Sequence, residues 1–383
     1  MSVKPDRLGI AVLGSTGSVG RQTLDVIAAL PERFRVVALA ARYQHDLLAD
    51  QVRQFRPDIV VAADRQHLAD NAVLVLPEGL TAAATHPDVD IVVVATTGHD
   101  AIVPTIEAIK AGKTIALANK EVIVCAGALI MPLARARGVQ IRPVDSEHSA
   151  IWQSLAGAAP ESIGRLIVTA SGGPFRGFTR EQLAAVTVEQ ALAHPTWHMG
   201  PKISLDSATL MNKGLELIEA HWFFDVPFER IDVVVHPQSI VHSMVEFVDR
   251  SVVAQLGNPD MRLPIQYALT YPERVSGLGE HLDFARTLTL TFEAPDIDRF
   301  PALRLAREAG EAGQTLPTVL SAVDEVAVDA FTNGRIRFLD IARLVEMVME
   351  RHTPSPVLDV GDVLDADRWA RDEATRILRQ IAG

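Results

Sequence analysis

Leu8-Gly9-Ile10-Ala11-Val12-Leu13-Gly14-Ser15-Thr16-Gly17-Ser18-Val19-Gly20 decides the fold class. An apolar run of strand length passes directly into glycines spaced G-x-x-G-x-x-G, and Gln22 to Leu30 then sets Leu24, Ile27 and Ala28 on one helical stripe. Glycines at a strand-to-helix turn let the backbone approach a pyrophosphate, and the helix N-terminus adds free N–H groups and a favourable dipole. The spacing differs from the commoner G-x-G-x-x-G, so on its own the motif also reads as a turn packing helix against strand. Working outward, Val36 to Ala41, Asp58 to Ala62, Ile91 to Ala95 and Thr114 to Ala118 are further β-branched runs buried on both faces, with a helical pattern such as Ala101 to Ala111 between them. This alternation predicts a doubly wound parallel sheet, a Rossmann-like nucleotide-binding domain over residues 1–145.

From 146 to 272 the pattern changes to fewer, longer strands: Arg165 to Ala170, Ile231 to Val235, His242 to Phe247 and Val252 to Leu256, with one helix from Ser207 to Phe223. We read this as an α+β catalytic domain carrying a flap at 191–201. A polar connector follows at 273–299, and 300–383 is a terminal helical bundle, with Ile341, Leu344, Val345, Val348 and Met349 at helical spacing. At 383 residues the chain suits two or three domains of about 150 residues each. The 48 acidic against 36 basic residues, net −12, provide no broad field for a nucleic-acid backbone or an anionic membrane. Any anion is therefore held locally. A single cysteine, Cys125, excludes an intrachain disulfide and a thiolate metal site and fits a reducing cytoplasm. The first ten residues lack a signal-peptide core, and no uncharged run nears the 18 or so residues of a membrane span.

Four stretches carry chemistry. At the end of the second strand, where an acidic residue would hold the ribose of NAD, the chain reads Arg42-Tyr43-Gln44, and Arg42 suits a 2′-phosphate instead; a solvated loop charge is the alternative. In Pro143-Val144-Asp145-Ser146-Glu147-His148, an extended backbone turns Asp145 and Glu147 to one side and His148 to the other. Paired carboxylates without cysteine form a hard oxygen site for Mg²⁺ or Mn²⁺, and His148 reads as a core or supporting residue. Ser171-Gly172-Gly173 after a strand offers a hydroxyl and bare amides for an anion, or an ordinary glycine turn. His194 to Pro201, with two prolines, Trp197 and Gly200, is an irregular functional loop whose indole either covers a ligand or anchors the loop in the core.

Beyond it, Asn212, Lys213 and Glu216 share a helical face. This is either an exposed i, i+3 pair or a buried polar site, and flanking Leu215, Leu217, Ile218 and Trp222 favour burial. Ser171, Ser207, Asn212 and Lys213 supply the hydroxyl, amide and ammonium donors that a phosphate needs.

GSTGSVG, LANKE at 117–121, PVDSEHSA, SGGPF, HPTWHMGPKISLDSATLMNKGLE, HPQSIVHSMV at 236–245 and PDMRLPIQYAL at 259–269, in this order, resemble the 1-deoxy-D-xylulose 5-phosphate reductoisomerase family over almost the whole chain. The resemblance implies an NADPH- and divalent-metal-dependent rearrangement and reduction of 1-deoxy-D-xylulose 5-phosphate to 2-C-methyl-D-erythritol 4-phosphate, in isoprenoid precursor synthesis, by a cytoplasmic homodimer. It implies cofactor contacts at Thr16, Gly17, Ser18, Val19, Asn119, Glu121 and Gly200, with Arg42, Tyr43 and Gln44 near the 2′-phosphate. Asp145, Glu147 and Glu216 become the metal ligands. Lys120, Ser146, Ser171, His194, Trp197, Ser207, Asn212 and Lys213 become substrate contacts, with Lys120 opposite a developing oxyanion. The chain departs from the family pattern at Arg42-Tyr43-Gln44, at His198 and at Ser321-Ala322-Val323-Asp324-Glu325. Two rival readings remain from the residues alone: a metal-independent NADP dehydrogenase with structural carboxylates, and a non-catalytic NADP-binding module.

Overall fold

The computed structural model describes residues 7–63, 73–197, 199–285 and 288–381. In chain order the first part runs β1 (Leu8–Leu13), α1 (Ser18–Ala29), β2 (Phe34–Ala40), α2 (His45–Phe55), β3 (Ile59–Ala62), β4 (Val73–Val75), α3 (Glu78–Thr85), β5 (Ile91–Val94), α4 (Ile102–Lys110), β6 (Thr114–Leu117), α5 (Lys120–Arg137), β7 (Ile141–Pro143) and α6 (Ser146–Ser154). It continues with β8 (Ile163–Ala170), α7 (Arg180–Ala184), α8 (Val188–Leu192), α9 (Pro201–Thr209), α10 (Met211–Phe224), β9 (Ile231–Val235), β10 (Val241–Phe247), β11 (Val252–Leu256), α11 (Arg262–Thr270), α12 (Ala302–Ala312), α13 (Leu316–Thr332), α14 (Phe338–Met349) and α15 (Val360–Ile381).

Two compact units result. The first holds 1–122, 130–149 and 260–280; the second holds 123–129, 150–259 and 281–383. In the first, seven parallel strands lie in the order β4-β3-β2-β1-β5-β6-β7. The order reverses between β1 and β5, which is the topological switch point where such sheets bind ligands at the carboxyl ends of their strands. Strands covered on both faces must be apolar throughout, and Ile10 to Leu13 and Ile91 to Val94 are fully or almost fully buried. The core joins these strands to Leu24, Val26 and Ile27 of α1.

Residues 260–280 fall with this unit, whereas the sequence reading divided them between the catalytic domain and the connector. The reason is apolar: Ile265, Ala268 and Leu269 fill one face of α11 and complete the first core, and Arg142 of β7 donates to the Ala268 carbonyl at 2.8 Å. The terminal helices share a unit with the catalytic segment.

In the second unit a four-stranded mixed sheet has the order β11-β10-β8-β9, with β8 and β9 parallel and the other pairs antiparallel. Helices α9 and α10 precede its parallel edge strand β9, and α12 to α15 form the helical layer. Instead of one helix from Ser207, the chain forms two, broken at Leu210, whose φ of +64° is left-handed. For a non-glycine residue that conformation ends a helix and re-aims the next.

Candidate active site

The first unit builds a cradle at its switch point. Gly14 has φ +93°, and a methyl group built on it would sit 2.4 Å from the Ala95 carbonyl oxygen at the end of β5; one on Gly20 would meet the Gly14 carbonyl oxygen at 2.1 Å. Glycine is required at both, first for conformation and then for the close approach of α1 to the turn. Gly17 caps α1 without a side-chain hydrogen bond, and the first turn carries no acidic residue. The leading N–H groups of the helix therefore face an anion-binding position without an internal competitor, which is the fit a dinucleotide phosphate needs.

Behind the turn, Ser15 donates to Gln51 of α2 at 2.8 Å while Gln51 Nε2 returns a bond to the Ser15 carbonyl at 2.9 Å. Gln51, 36 residues away in sequence, was invisible to motif reading. The Thr16 hydroxyl donates to the Tyr43 carbonyl at 3.1 Å, so the glycine turn and the 42–44 loop are tied together. Tyr43 is exposed, and Arg42 pairs with Asp100 at the surface. Asn119 caps α5 by accepting from the Val122 N–H at 3.0 Å, and its amide donates to the carbonyls of Thr96 and Gly98. It thereby fixes the loop after β5.

The same unit holds Lys120, Asp145, Ser146 and Glu147. Here the sequence geometry is corrected: Asp145 precedes α6 and Glu147 lies in its first turn, so the segment is not extended. The coil of the helix brings His148 to Asp145's side, with Nδ1 3.4 Å from Asp145 Oδ2 and the ring fully buried. The Lys120 ammonium bonds the same carboxylate. Burial alone would raise the Asp145 carboxyl, but the Lys120 charge and the His148 ring beside it outweigh this and hold it well below the usual range. Ser146 donates to Glu147 Oε2 at 2.6 Å. Glu121 is also buried.

The second unit supplies the other donor set. Gly172 and Gly173 both have positive φ, and a methyl on Gly173 would lie 2.6 Å from the Ser207 carbonyl oxygen, so the Ser171 turn packs directly on α9. His194 Nδ1 accepts the N–H groups of Thr196 at 3.1 Å and Trp197 at 2.9 Å. Nδ1 as acceptor puts the proton on Nε2, which donates to Ser171 Oγ at 3.0 Å. Partial burial lowers the His194 pKa, favouring this neutral form.

On α10 the Lys213 ammonium bonds Glu216, Asn212 donates to Glu216 Oε1 at 2.6 Å, and both charged side chains are buried. This resolves the alternatives in favour of a buried polar site. Trp197 is half-buried, its ring centroid 6.1 Å from that of His242, a residue the motif reading quoted without a role. Gly200 caps α9 and Pro201 opens it. His198 lies outside the described residues. Asp145, Glu147 and Glu216 are all hard oxygen donors, and the lone thiol, Cys125, is buried, so the donor chemistry suits Mg²⁺ or Mn²⁺ better than a soft metal.

A switch-point cradle without an internal anion, joined in one chain to carboxylate, ammonium and hydroxyl clusters, defines an NADP-dependent oxidoreductase. Family models match in three consecutive parts: "1-deoxy-D-xylulose 5-phosphate reductoisomerase" over 10–127, its C-terminal domain over 141–224, and "DXP reductoisomerase C-terminal domain" over 256–373. A 1-deoxy-D-xylulose 5-phosphate reductoisomerase from Thermomicrobium roseum is 58% identical over 377 residues, 97% of this chain and 98% of the relative. The chain belongs to the 1-deoxy-D-xylulose 5-phosphate reductoisomerase family. Among solved structures, the enzyme from Zymomonas mobilis in complex with NADPH is similar with a TM-score of 0.90 and 42% identity, covering 97% of this chain and 99% of that one. A DOX-P reductoisomerase in complex with NADPH, fosmidomycin and magnesium matches with a TM-score of 0.92 and 39% identity, covering 98% and 99%.

Proposed function

We propose that the chain converts 1-deoxy-D-xylulose 5-phosphate to 2-C-methyl-D-erythritol 4-phosphate, consuming NADPH and requiring Mg²⁺ or Mn²⁺, as part of isoprenoid precursor synthesis. The observation that carries this reading is the buried Lys213–Glu216 pair on α10, with half-buried Asn212 bonded to the same carboxylate, in a chain whose relatives carry that name over nearly their full length. A buried ammonium and carboxylate cost too much desolvation to be kept for stability alone.

The residue roles follow. The uncapped start of α1 and the Thr16–Val19 turn hold the cofactor phosphates, Arg42 to Gln44 its 2′-phosphate, and Asn119, Glu121 and Gly200 further parts of it. Asp145, Glu147 and Glu216 hold the cation. Bound there, the cation supplies Lewis acidity toward the carbonyl and neighbouring hydroxyl oxygens of the substrate, and NADPH supplies hydride. Lys120, already charged against Asp145, stabilises negative charge developing on the substrate oxygen. Ser146 orients Glu147 and meets the substrate hydroxyls. The Ser171 and Ser207 hydroxyls, the Asn212 amide and the Lys213 ammonium bind the phosphate, whose remote binding energy orients the reacting carbons. Neutral His194 donates from Nε2 toward this site, and Trp197 covers it when the 191–201 flap closes.

We read the nucleotide-binding, catalytic and helical segments as functional domains with the sequence boundaries 1–145, 146–272 and 300–383, the 273–299 stretch serving as connector. We also read the chain as a cytoplasmic homodimer. The edge strand β11 exposes Val252 and Val253 beside exposed Val248, an apolar edge that a second copy would cover. The single thiol is reduced, and among the described residues no helix is long and apolar enough to cross a membrane. NADPH consumption with 1-deoxy-D-xylulose 5-phosphate, with and without divalent metal, tests the reading; turnover that survives exhaustive chelation refutes it.

A further inference from the structure

Three charged side chains meet between α9 and α13, the two carboxylates buried and the ammonium partly exposed. Lys202, in the first turn of α9, places its ammonium 2.5 Å from Asp206 Oδ2 one turn further along, and 2.5 Å from Asp324 Oδ2 on α13. The Asp206 side chain is 3% exposed and that of Asp324 is not exposed at all. The second oxygen of each carboxyl, Oδ1, has no hydrogen-bond partner among the described residues.

We propose that Lys202, Asp206 and Asp324 form a positioning cluster that anchors α9 to α13 and so fixes the Ser207 hydroxyl for the phosphate end of the substrate. The inference rests on the functional reading above. Ser207 directly follows Asp206, and the backbone there also receives the Ser171 turn through the close approach of Gly173. The Lys202–Asp324 pair ties α9 to α13 while Asp206 holds the same ammonium from within α9, so rolling the helix would pull the ammonium from a fully buried carboxylate, which is costly. Lys202 also stands two residues after Gly200, so the same anchor ends the flap at a fixed point.

The charge balance of the cluster gives it a signature. Burial and the adjacent Asp324 carboxylate push the Asp206 carboxyl well up, against the opposing pull of Lys202. Asp206 is thereby favoured in its neutral form beside Lys202 and Asp324. Neighbouring elements do not compensate differently. On α8 Glu189 is exposed; on α10 Lys213 and Glu216 pair with each other, Glu219 is buried, and His221 bonds the Val226 carbonyl; on α13 Glu325 pairs with Arg371 and Asp329 with Arg335. Loss of the Asp206 proton as pH rises leaves an excess buried carboxylate that loosens the anchor. An asparagine at 206 would imitate the protonated acid at every pH, its amide oxygen accepting from Lys202.

The full chain is assayed as wild type and as Asp206→Asn, Asp324→Ala and Lys202→Met, with KM for substrate, KM for NADPH and kcat measured from neutral pH upward across the range in which the wild type stays folded. Asp324→Ala and Lys202→Met should raise KM for the phosphorylated substrate on the order of tenfold or more, the scale of a misplaced binding group, with KM for NADPH unchanged. Asp206→Asn should keep the neutral-pH KM and abolish the alkaline rise expected of the wild type. Unchanged substrate KM in a folded Asp324→Ala, or equal losses for substrate and NADPH, would overturn the inference. Should those two variants fail to fold, identical pH profiles for wild type and Asp206→Asn overturn it on their own, and a flat profile in the asparagine variant alone supports it. A wild type without turnover removes the functional reading and this inference with it, whereas a failure of the variants in a working enzyme removes only the inference.

Discussion

The Lys213 ammonium bonds the Glu216 carboxylate one turn along α10, and both side chains are almost completely buried. On the proposed roles, an incoming phosphate would share the ammonium and an incoming cation the carboxylate. Lys213→Ala should destabilise the protein by about 3–5 kcal/mol, because Glu216 loses its countercharge while remaining buried. It should also weaken phosphate- or phosphonate-bearing ligands by about 1.5–3 kcal/mol. Urea unfolding reads the first effect and calorimetric titration the second. Equal loss of affinity for ligands with and without the phosphate would reduce Lys213 to a structural ion pair.

Glu147→Gln retains shape and removes charge, and the Ser146 hydroxyl can still donate to the side-chain oxygen. Turnover should fall by orders of magnitude, since a Lewis acid supplies several kcal/mol of transition-state stabilisation. NADPH binding, followed by cofactor fluorescence, should persist. A fully active variant in excess chelator would dispose of the metal role.

Arg42 sits at the surface paired with Asp100, in the loop tied to Thr16 through the Tyr43 carbonyl. Arg42→Asp sets two acidic groups side by side where a 2′-phosphate is expected. KM for NADPH should rise while NADH use stays level. Steady-state kinetics with both cofactors decides it, and a wild type indifferent between them would contradict the assignment.

His242 is buried beside Trp197, and burial pushes its pKa down to about 4 from an ordinary 6.5. The folded state therefore resists a proton that the unfolded chain accepts. Stability should be fully present above about pH 6.5, fall as pH drops toward 4, and level off below, with a total loss of about 3 kcal/mol from this group. Urea unfolding across that range should show the slope in the wild type and a shallower one in His242→Gln. Parallel curves would mean that other groups govern the acid limb.

Closure of the 191–201 loop over a phosphonate should change the fluorescence of half-buried Trp197. Trp197→Phe should erase that change, leaving the signal of Trp152, Trp222 and Trp369, while its melting temperature stays near the wild type. Early melting with unaltered kinetics would mark the indole as a core anchor.

The nucleotide-binding half was legible because its signals are local. Strand, glycine turn and helix follow one another within 8–30, and β1, β2, β3, β5 and β6 are runs of β-branched and small residues. The short edge strands β4 and β7, three residues each, are too brief for periodicity to register. The donor types of the catalytic segment could also be read, but their geometry could not. A helix wheel drawn through 207–223 has no means of showing that Leu210 turns left-handed, and an alternating pattern at 145–148 concealed a helix start. Gln51 and Asp324 are set in place by tertiary packing, which leaves no mark at their own positions.

A methyl group added to Gly214 would lie 2.4 Å from the Ala306 Cβ of α12, so α10 and α12 touch almost backbone to backbone immediately beside Lys213. The terminal helices hold none of the proposed ligand contacts, yet they are the mould against which the helix carrying Asn212, Lys213 and Glu216 is cast. A protease cut in the 273–299 stretch that released them would leave every proposed catalytic residue in the chain and still silence it. Gly214→Val would do the same by thickening a single contact.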